Sequence, residues 1–263
     1  MSGIAPVCSS SKGNCVFVGD RDSGVLVDAG CSFKALRYGL SLCGIDFSAV
    51  KAVLVTHEHI DHTKALLQIT KHTKLPVYAS EGTINKLISE KLIDTAANIY
   101  SCKNLSSAPV DMDIKCFATP HDSAESLGYT FLWNEHKVAV CTDLGKVTDE
   151  VKRNLTGCDT VYLEANYDPL LLKNNPKYPY ALKQRISSDF GHLSNPDSAE
   201  FCSHLVKNGA RRLILGHLSQ ENNTPDFACK AVQTRLASDS MLCGSDYTLD
   251  VAPVVTSGKY IVI

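Results

Sequence analysis

No hydrophobic run in this chain approaches the roughly 20 residues that a bilayer-spanning helix requires, so a membrane-embedded protein of that kind is not expected. The first 18 residues also lack a basic segment followed by a long apolar core, and the expectation is an unexported, cytoplasmic protein. No CxxC pair occurs among the 11 cysteines, whose number is odd and whose spacing is scattered. That argues against a disulfide framework and predicts reduced thiols used as small apolar residues. Neither sign of charge is in excess: 26 Lys plus Arg against 28 Asp plus Glu leave a formal net charge of −2. Nucleic acid held by bulk electrostatics is excluded, and any such contact must be local. Internal repeats, low-complexity tracts and an obvious linker are absent as well. With 263 residues, 44% of them hydrophobic, the chain can bury a substantial core, and one domain spanning 1–263 is expected.

What is present is a series of short apolar runs at Val16-Phe17-Val18, Val25-Leu26-Val27, 52–55, 114–118, 138–141, 161–163 and 213–215. Their length and β-branched content predict buried strands. Helical spacing appears over 64–72, 82–91 and 196–208, the last opening with Asn195 as N-cap and Pro196 as first helical residue. Mixed strands and helices throughout indicate an α/β fold. The segment 166–188, rich in Pro, Asn, Tyr and Lys, reads as a loop or lid.

Polar residues fall at a regular place relative to these runs. Asp28, His57, His121, Asp143, Glu164 and His217 each follow an apolar run, so they converge on one rim of strand ends. Loops at such a rim can carry ligands without breaking sheet hydrogen bonds. The densest group is His57-Glu58-His59-Ile60-Asp61-His62, directly after Ala52-Val53-Leu54-Val55-Thr56. Alternating residues of an extended loop point the same way, so His57 and His59 can share one ion while Asp61 and His62 turn toward a second. His121, Asp143 and His217 would each read alone as loop or turn residues; beside this cluster they read as ligands, Asp143 as a bridging carboxylate that offsets charge on both ions. Two divalent ions can share a water, lower its pKa and hold the hydroxide for in-line attack while neutralising phosphate oxygens. Hydrolysis of phosphodiesters needs both effects.

These residues resemble the metallo-β-lactamase superfamily over nearly the whole chain, which implies a four-layer αβ/βα sandwich. The segments Cys8-Ser9-Ser10-Ser11-Lys12-Gly13-Asn14-Cys15, Leu163-Glu164-Ala165-Asn166-Tyr167-Asp168, Gly191-His192-Leu193-Ser194-Asn195 and 216–223 resemble the YycJ (WalJ) branch, similar to nucleases. The resemblance implies His57, His59 and His121 on one metal, Asp61, His62 and His217 on the other, and Asp143 between them. It further implies a 5′-to-3′ exonuclease on DNA, with DNA favoured over RNA. Asp28 resembles an early aspartate that supports the metal loop by hydrogen bonding. An aspartate stands at 143 where many true β-lactamases carry cysteine, which argues against antibiotic hydrolysis. Only 48 residues separate Asp143 from His192, too few for the insertion of the RNase J type of nuclease.

Two residues are assigned to catalysis. Asp61 would orient the attacking hydroxide and accept its proton. His192 resembles the histidine with which phosphodiesterases of the RNase Z type contact the scissile phosphate or assist the leaving oxygen; a structural histidine at a helix start is the alternative. Glu164 is read as orienting a ligand or His192. Substrate contacts are expected from Ser10, Ser11 and Asn14 in a loop that lacks the P-loop pattern and reads equally as a plain turn, and from Lys183 and Arg185 in a basic-aromatic strip with Lys173, Lys177, Tyr178 and Tyr180 that reads equally as a solvated loop. His72, His136 and His204 read as ordinary surface or helix residues, and Trp133 as strand packing. The cofactors expected are two divalent ions, Zn2+ or Mn2+, with Fe2+ also compatible. The competing readings are a small-molecule cyclic phosphodiesterase and, less favoured because of His192, a thioester or lactone hydrolase.

Overall fold

The structure, a computed structural model, describes residues 2–133 and 135–263. Its strands, in chain order, are β1 (Gly3–Ser10), β2 (Gly13–Gly19), β3 (Gly24–Val27), β4 (Val50–Leu54), β5 (Val77–Ala79), β6 (Ile99–Ser101), β7 (Asp113–Ala118), β8 (Leu127–Trp133), β9 (His136–Cys141), β10 (Thr160–Glu164), β11 (Arg212–Gly216), β12 (Thr248–Val251) and β13 (Ile261–Val262). The helices are α1 (Phe33–Leu42), α2 (Ile60–Thr63), α3 (Leu66–His72), α4 (Glu81–Ser89), α5 (Asp149–Leu155), α6 (Pro169–Asn174), α7 (Tyr180–Ile186), α8 (Asn195–Lys207) and α9 (Pro225–Ser238). Two compact units result. The first comprises the chain up to Cys116 with Ser123–Leu127 and Pro253–Ile263, the second Phe117–Asp122 with Gly128–Ala252.

In the first unit a seven-stranded sheet runs β13-β1-β2-β3-β4-β5-β6. β1 and β2 form an antiparallel hairpin, Ser10 opposite Gly13, whereas β3, β4, β5 and β6 are parallel. Parallel strands covered on both faces need continuous apolar sequence rather than alternation. Val25, Leu26, Val27, Val53 and Leu54 meet that need, all at most 2% exposed. Leu36 and Leu40 of α1 and Leu66 and Ile69 of α3 pack in the same core.

The second unit holds a six-stranded sheet, β12-β11-β10-β9-β8-β7. β9 to β12 are parallel, with β8 antiparallel to β9. Ala139, Val161, Leu163, Leu213 and Leu215 build its core with Cys202 and Leu205 of α8 and Val232 and Leu236 of α9. Fully burying a Val or Leu side chain contributes about 1.5–3 kcal/mol, which is why strand ends here can afford unfavourable backbone angles.

Every apolar run expected to be a strand is one, from β2 to β11. Three expectations need correction. The helical stretch over 64–72 is α3, which begins two residues later, at Leu66, and a separate short helix not expected from the sequence, α2, ends just before it at Thr63. Helix α8 starts one residue early: Ser194, not Asn195, is the N-cap, its hydroxyl accepting from Asp197 N while Pro196 stands in the first turn. The segment 166–188 is no plain loop. Asp168 caps α6, its carboxylate accepting from Leu170 N and Leu171 N ahead of Pro169, and α7 follows without one buried side chain. Of the 11 cysteines all are free thiols and six are buried.

Gly30 joins the first sheet to its polar loop. A Cβ there would lie 1.6 Å from the Asp61 carbonyl oxygen and 2.5 Å from Asn14 N. Gly30→Ala should therefore cost more than about 3 kcal/mol, read as a lowered urea midpoint; a variant as stable as wild type would show that this close approach does not exist in solution.

Candidate metal centre

Asp28, His57, Asp143, Glu164 and His217 stand at or just beyond the ends of parallel strands, and three of them sit on left-handed backbone. Among the described residues five non-glycine positions have positive φ, and Asp28 (63°), Asp143 (55°) and His217 (56°) are three of these. Each follows a strand: β3, β9 and β11. Such residues cost on the order of 1–3 kcal/mol, less for Asp, and persist only where surrounding structure holds them. The left-handed turn lifts the side chain off the sheet at its C-terminal edge.

The first unit brings together His57, His59, Asp61 and His62. Asp28 organises them. Its Oδ1 accepts from Thr56 N at 2.8 Å, and its Oδ2 accepts from Thr56 Oγ1 at 2.9 Å and from His62 Nδ1 at 2.7 Å. Thr56 Oγ1, having donated to Asp28, accepts from His57 Nδ1 at 3.0 Å. Burial pushes the Asp28 carboxyl up and His62 opposes that shift. Because a carboxylate only accepts, His62 carries its proton on Nδ1, and its Nε2 lone pair is met by Asn14 Nδ2 at 3.1 Å. His57 Nε2 and His59 Nδ1 stand 3.0 Å apart. Two ligands on a tetrahedral zinc with bonds of about 2.0–2.1 Å are separated by roughly 3.3 Å, so these two nitrogens are spaced for one ion.

The second unit brings together His121, Asp143, His192 and His217 around Glu164, which is fully buried. Glu164 Oε1 accepts from His192 Nδ1 at 2.8 Å and from His217 Nδ1 at 2.7 Å. Its Oε2 accepts from Leu144 N at 2.8 Å and Leu193 N at 3.1 Å. Burial would raise this carboxyl, but His192 and His217 outweigh it and hold the group at about 2, ionised at every working pH. His121 donates Nδ1–H to the Gly191 carbonyl at 3.0 Å. Burial lowers its pKa and Asp143 opposes, which favours the neutral, metal-binding ring. Asp143 Oδ1 lies 3.5 Å from His121 Nε2 and 3.5 Å from His217 Nδ1. One donor atom from each of Asp143, Glu164, His192 and His217 falls within 4.8 Å of the others, a group able to hold a metal. Glu164 spends both oxygens on hydrogen bonds, which makes it an orienting group for His192 and His217.

A buried amide network, not foreseen from sequence, holds the loops carrying His192 and His217. Asn166 Nδ2 donates to the His217 carbonyl at 2.8 Å, and Asn166 N donates to the Leu193 carbonyl. Asn195 and Asn223 exchange side-chain hydrogen bonds, and Asn223 Nδ2 also donates to the Ala165 carbonyl. Buried amides with no other role were the available signal, in the segments around 166, 195 and 223.

The expected substrate contacts fare differently. Asn14 is a brace: its Nδ2 donates to Ser10 O at 2.9 Å and reaches Asp61 Oδ2 at 3.4 Å. Ser10 is buried and its hydroxyl accepts from Lys12 N, while Ser11 is exposed at the turn. Arg185 is paired with Asp122 beside His121, and Lys177 with Glu221, so neither is an uncommitted cation. Lys183 sits on α7 and donates to the Lys173 carbonyl. Of the histidines set aside, His72 is an exposed helix residue bonded to Gln68, and His204 stacks on Phe201.

The model of the beta-lactamase superfamily domain matches residues 24–218 of this sequence. The chain belongs to the β-lactamase superfamily. It is 33% identical to an exodeoxyribonuclease YycJ of Bacillus anthracis over 247 residues, 92% of each chain. It is 31% identical to an exodeoxyribonuclease WalJ of Streptococcus pneumoniae over 251 residues, 94% of this chain and 93% of that one. The crystal structure of Zn2+-bound PqqB from Methylobacterium extorquens superposes with a TM-score of 0.69 at 15% identity, covering 97% and 99% of the two chains. The expected metallo-β-lactamase fold and the likeness to the YycJ/WalJ branch are both borne out. This superfamily member is thus an enzyme of the metal-dependent hydrolase class. No helix among the described residues is long and apolar enough to cross a membrane.

Glu164→Gln removes the negative charge and leaves one acceptor end where the carboxylate offers two, so the side chain can no longer accept from both the His192–His217 pair and the Leu144 and Leu193 amides. Zinc affinity should fall about 10–100-fold in competition with a chromophoric chelator while the circular dichroism spectrum is retained; undiminished affinity in a folded variant would reduce Glu164 to a packing residue.

Proposed function

We propose that this chain is a dinuclear metal-dependent phosphodiester hydrolase, a cytoplasmic DNA exonuclease that degrades from the 5′ end. One observation carries the reading: five imidazoles are wired alike. His57, His62, His121, His192 and His217 each commit Nδ1 to a hydroxyl, carboxylate or carbonyl oxygen of their own unit, and so present Nε2. Metal-ligating histidines are oriented in this way, and ordinary core histidines have no reason to share it.

The assignment to two ions comes from the family resemblance: His57, His59 and His121 would hold one, Asp61, His62 and His217 the other, and Asp143 both. Nitrogen and carboxylate oxygen together suit Zn2+ and also accept Mn2+ or Fe2+, and the zinc-bound PqqB relative favours zinc. Bound there, two divalent ions supply Lewis acidity toward phosphoryl oxygens and lower the pKa of water. The protein's own residues do the rest. Asp61, about 21% exposed and held beside Asn14 and His62, orients the attacking water and takes its proton. His192, about 20% exposed, is more open than His121 and His217, and Glu164 fixes its Nδ1 so that Nε2 meets the substrate. From there it contacts the scissile phosphate or protonates the leaving oxygen.

The names of the YycJ and WalJ relatives support DNA. A cyclic mononucleotide remains the competing substrate because four acids, Asp149, Asp189, Asp197 and Glu200, outnumber Lys146 and Lys152 in the lining of the cavity of about 600 Å3 beside His192, an unwelcoming wall for a long polyanion. End-labelled single- and double-stranded DNA and RNA, incubated with Zn2+ or Mn2+, separate these substrates. Mononucleotides should be released from 5′ termini of DNA, and release should stop with chelator or with Asp61→Ala. Inert polymers alongside hydrolysis of bis-p-nitrophenyl phosphate would transfer the assignment to small phosphodiesters. His192→Ala should slow DNA cleavage about 10²–10⁴-fold yet barely affect bis-p-nitrophenyl phosphate, whose leaving group needs no proton; equal loss on both substrates would contradict leaving-group assistance.

A further inference from the structure

Large apolar side chains gather unpaired on one short stretch of the second unit. Leu170, Tyr180 and Phe190 are 68%, 77% and 58% exposed, and α7 buries none of its side chains. Between α6 and α7 lies a cavity of about 470 Å3, within the roughly 300–1,000 Å3 of small-molecule sites. Tyr167, Leu172 and Tyr180 give it apolar and aromatic walls, and Lys173 and Lys183 stand at its margin. Among the described residues neither lysine has a carboxylate within ion-pair distance, unlike Lys146, Lys177 and Arg185 nearby. Tyr167 and Ser187 also line the cavity that contains His192, so the two spaces adjoin.

We infer that the α6–α7 cavity is a nucleobase-binding subsite, which takes the base of a nucleotide neighbouring the scissile phosphate of a DNA strand. This rests on the phosphodiesterase reading of His192. Charge decides the direction: the cavity beside His192 is lined by Asp149, Asp189, Asp197 and Glu200 against Lys146 and Lys152, the former paired with Asp189, whereas the α6–α7 side offers two cations and no acid. A polyanion leaving His192 runs toward Lys173 and Lys183. There its base meets the Tyr180 ring, and stacking on an aromatic face tolerates any base. That suits a nuclease without sequence preference. It also explains why a tyrosine is held three-quarters exposed on a helix with no core contact of its own.

Binding tests this apart from hydrolysis. Metal-loaded wild type, Tyr180→Ala and Tyr180→Phe are titrated against a fluorescent pentanucleotide with nuclease-resistant phosphorothioate linkages, and against versions carrying one abasic residue at each position in turn. Wild type should bind the intact strand about tenfold more tightly than the version abasic next to the terminal linkage. Tyr180→Ala should lose that preference, Tyr180→Phe should keep it, and all three should keep the wild-type circular dichroism spectrum and take up the same amount of zinc. A preference undiminished in Tyr180→Ala, or lost equally in Tyr180→Phe, overturns the subsite. If wild type hydrolyses no phosphodiester, the functional reading falls, while base-dependent binding through Tyr180 still stands or falls on the titration.

Discussion

A buried carboxylate that accepts from ring nitrogens is the interaction on which both halves of this protein's chemistry rest. Glu164 holds His192 and His217, and Asp28 holds His62 directly and His57 through Thr56. An imidazole can face a metal or a phosphate with either nitrogen. Taking one of them with an acceptor-only group decides tautomer and ring plane at once. Remove the acceptor, and each ring becomes a buried polar group with several orientations of similar energy.

These carboxylates are themselves expensive to bury, and the local structure shows how they are tolerated. Glu164 accepts from four donors and Asp28 from three, two of the seven being Leu144 N and Leu193 N at loops that must also be positioned. The same bonds therefore neutralise a charge and anchor a loop. The left-handed residues Asp28, Asp143 and His217 belong to this economy of geometry. A strand covered on both faces cannot present a side chain sideways, so the chain turns at its end, and the packed parallel strands beneath hold a conformation that would relax elsewhere.

The division of labour around the site follows from exposure. The deeply buried histidines are suited to permanent ligation, whereas the more open His192 lies beside a solvent-filled cavity that continues past Tyr167 and Ser187 toward α6 and α7. That outer region contributes little to the core. It is built from short helices with exposed rings and with two lysines, Lys173 and Lys183, that have no carboxylate partner among the described residues.

Much was legible in the amino-acid order alone. Strand runs such as Val161-Tyr162-Leu163 announce themselves because a strand buried on both faces tolerates only apolar residues, and the ligand-type residues after them mark strand ends. The α/β class, the histidine cluster and the chemistry of its donors follow from that local pattern. What only the tertiary structure decided are the pairings at long separation. Asn14 faces Asp61 and His62, Arg185 pairs with Asp122, and Glu164, read from the sequence as orienting a ligand or His192, holds His192 and His217 together, 28 and 53 residues away. Hydrogen bonds select partners by position in space, and spacing along the chain carries no trace of a partner that folding brings near.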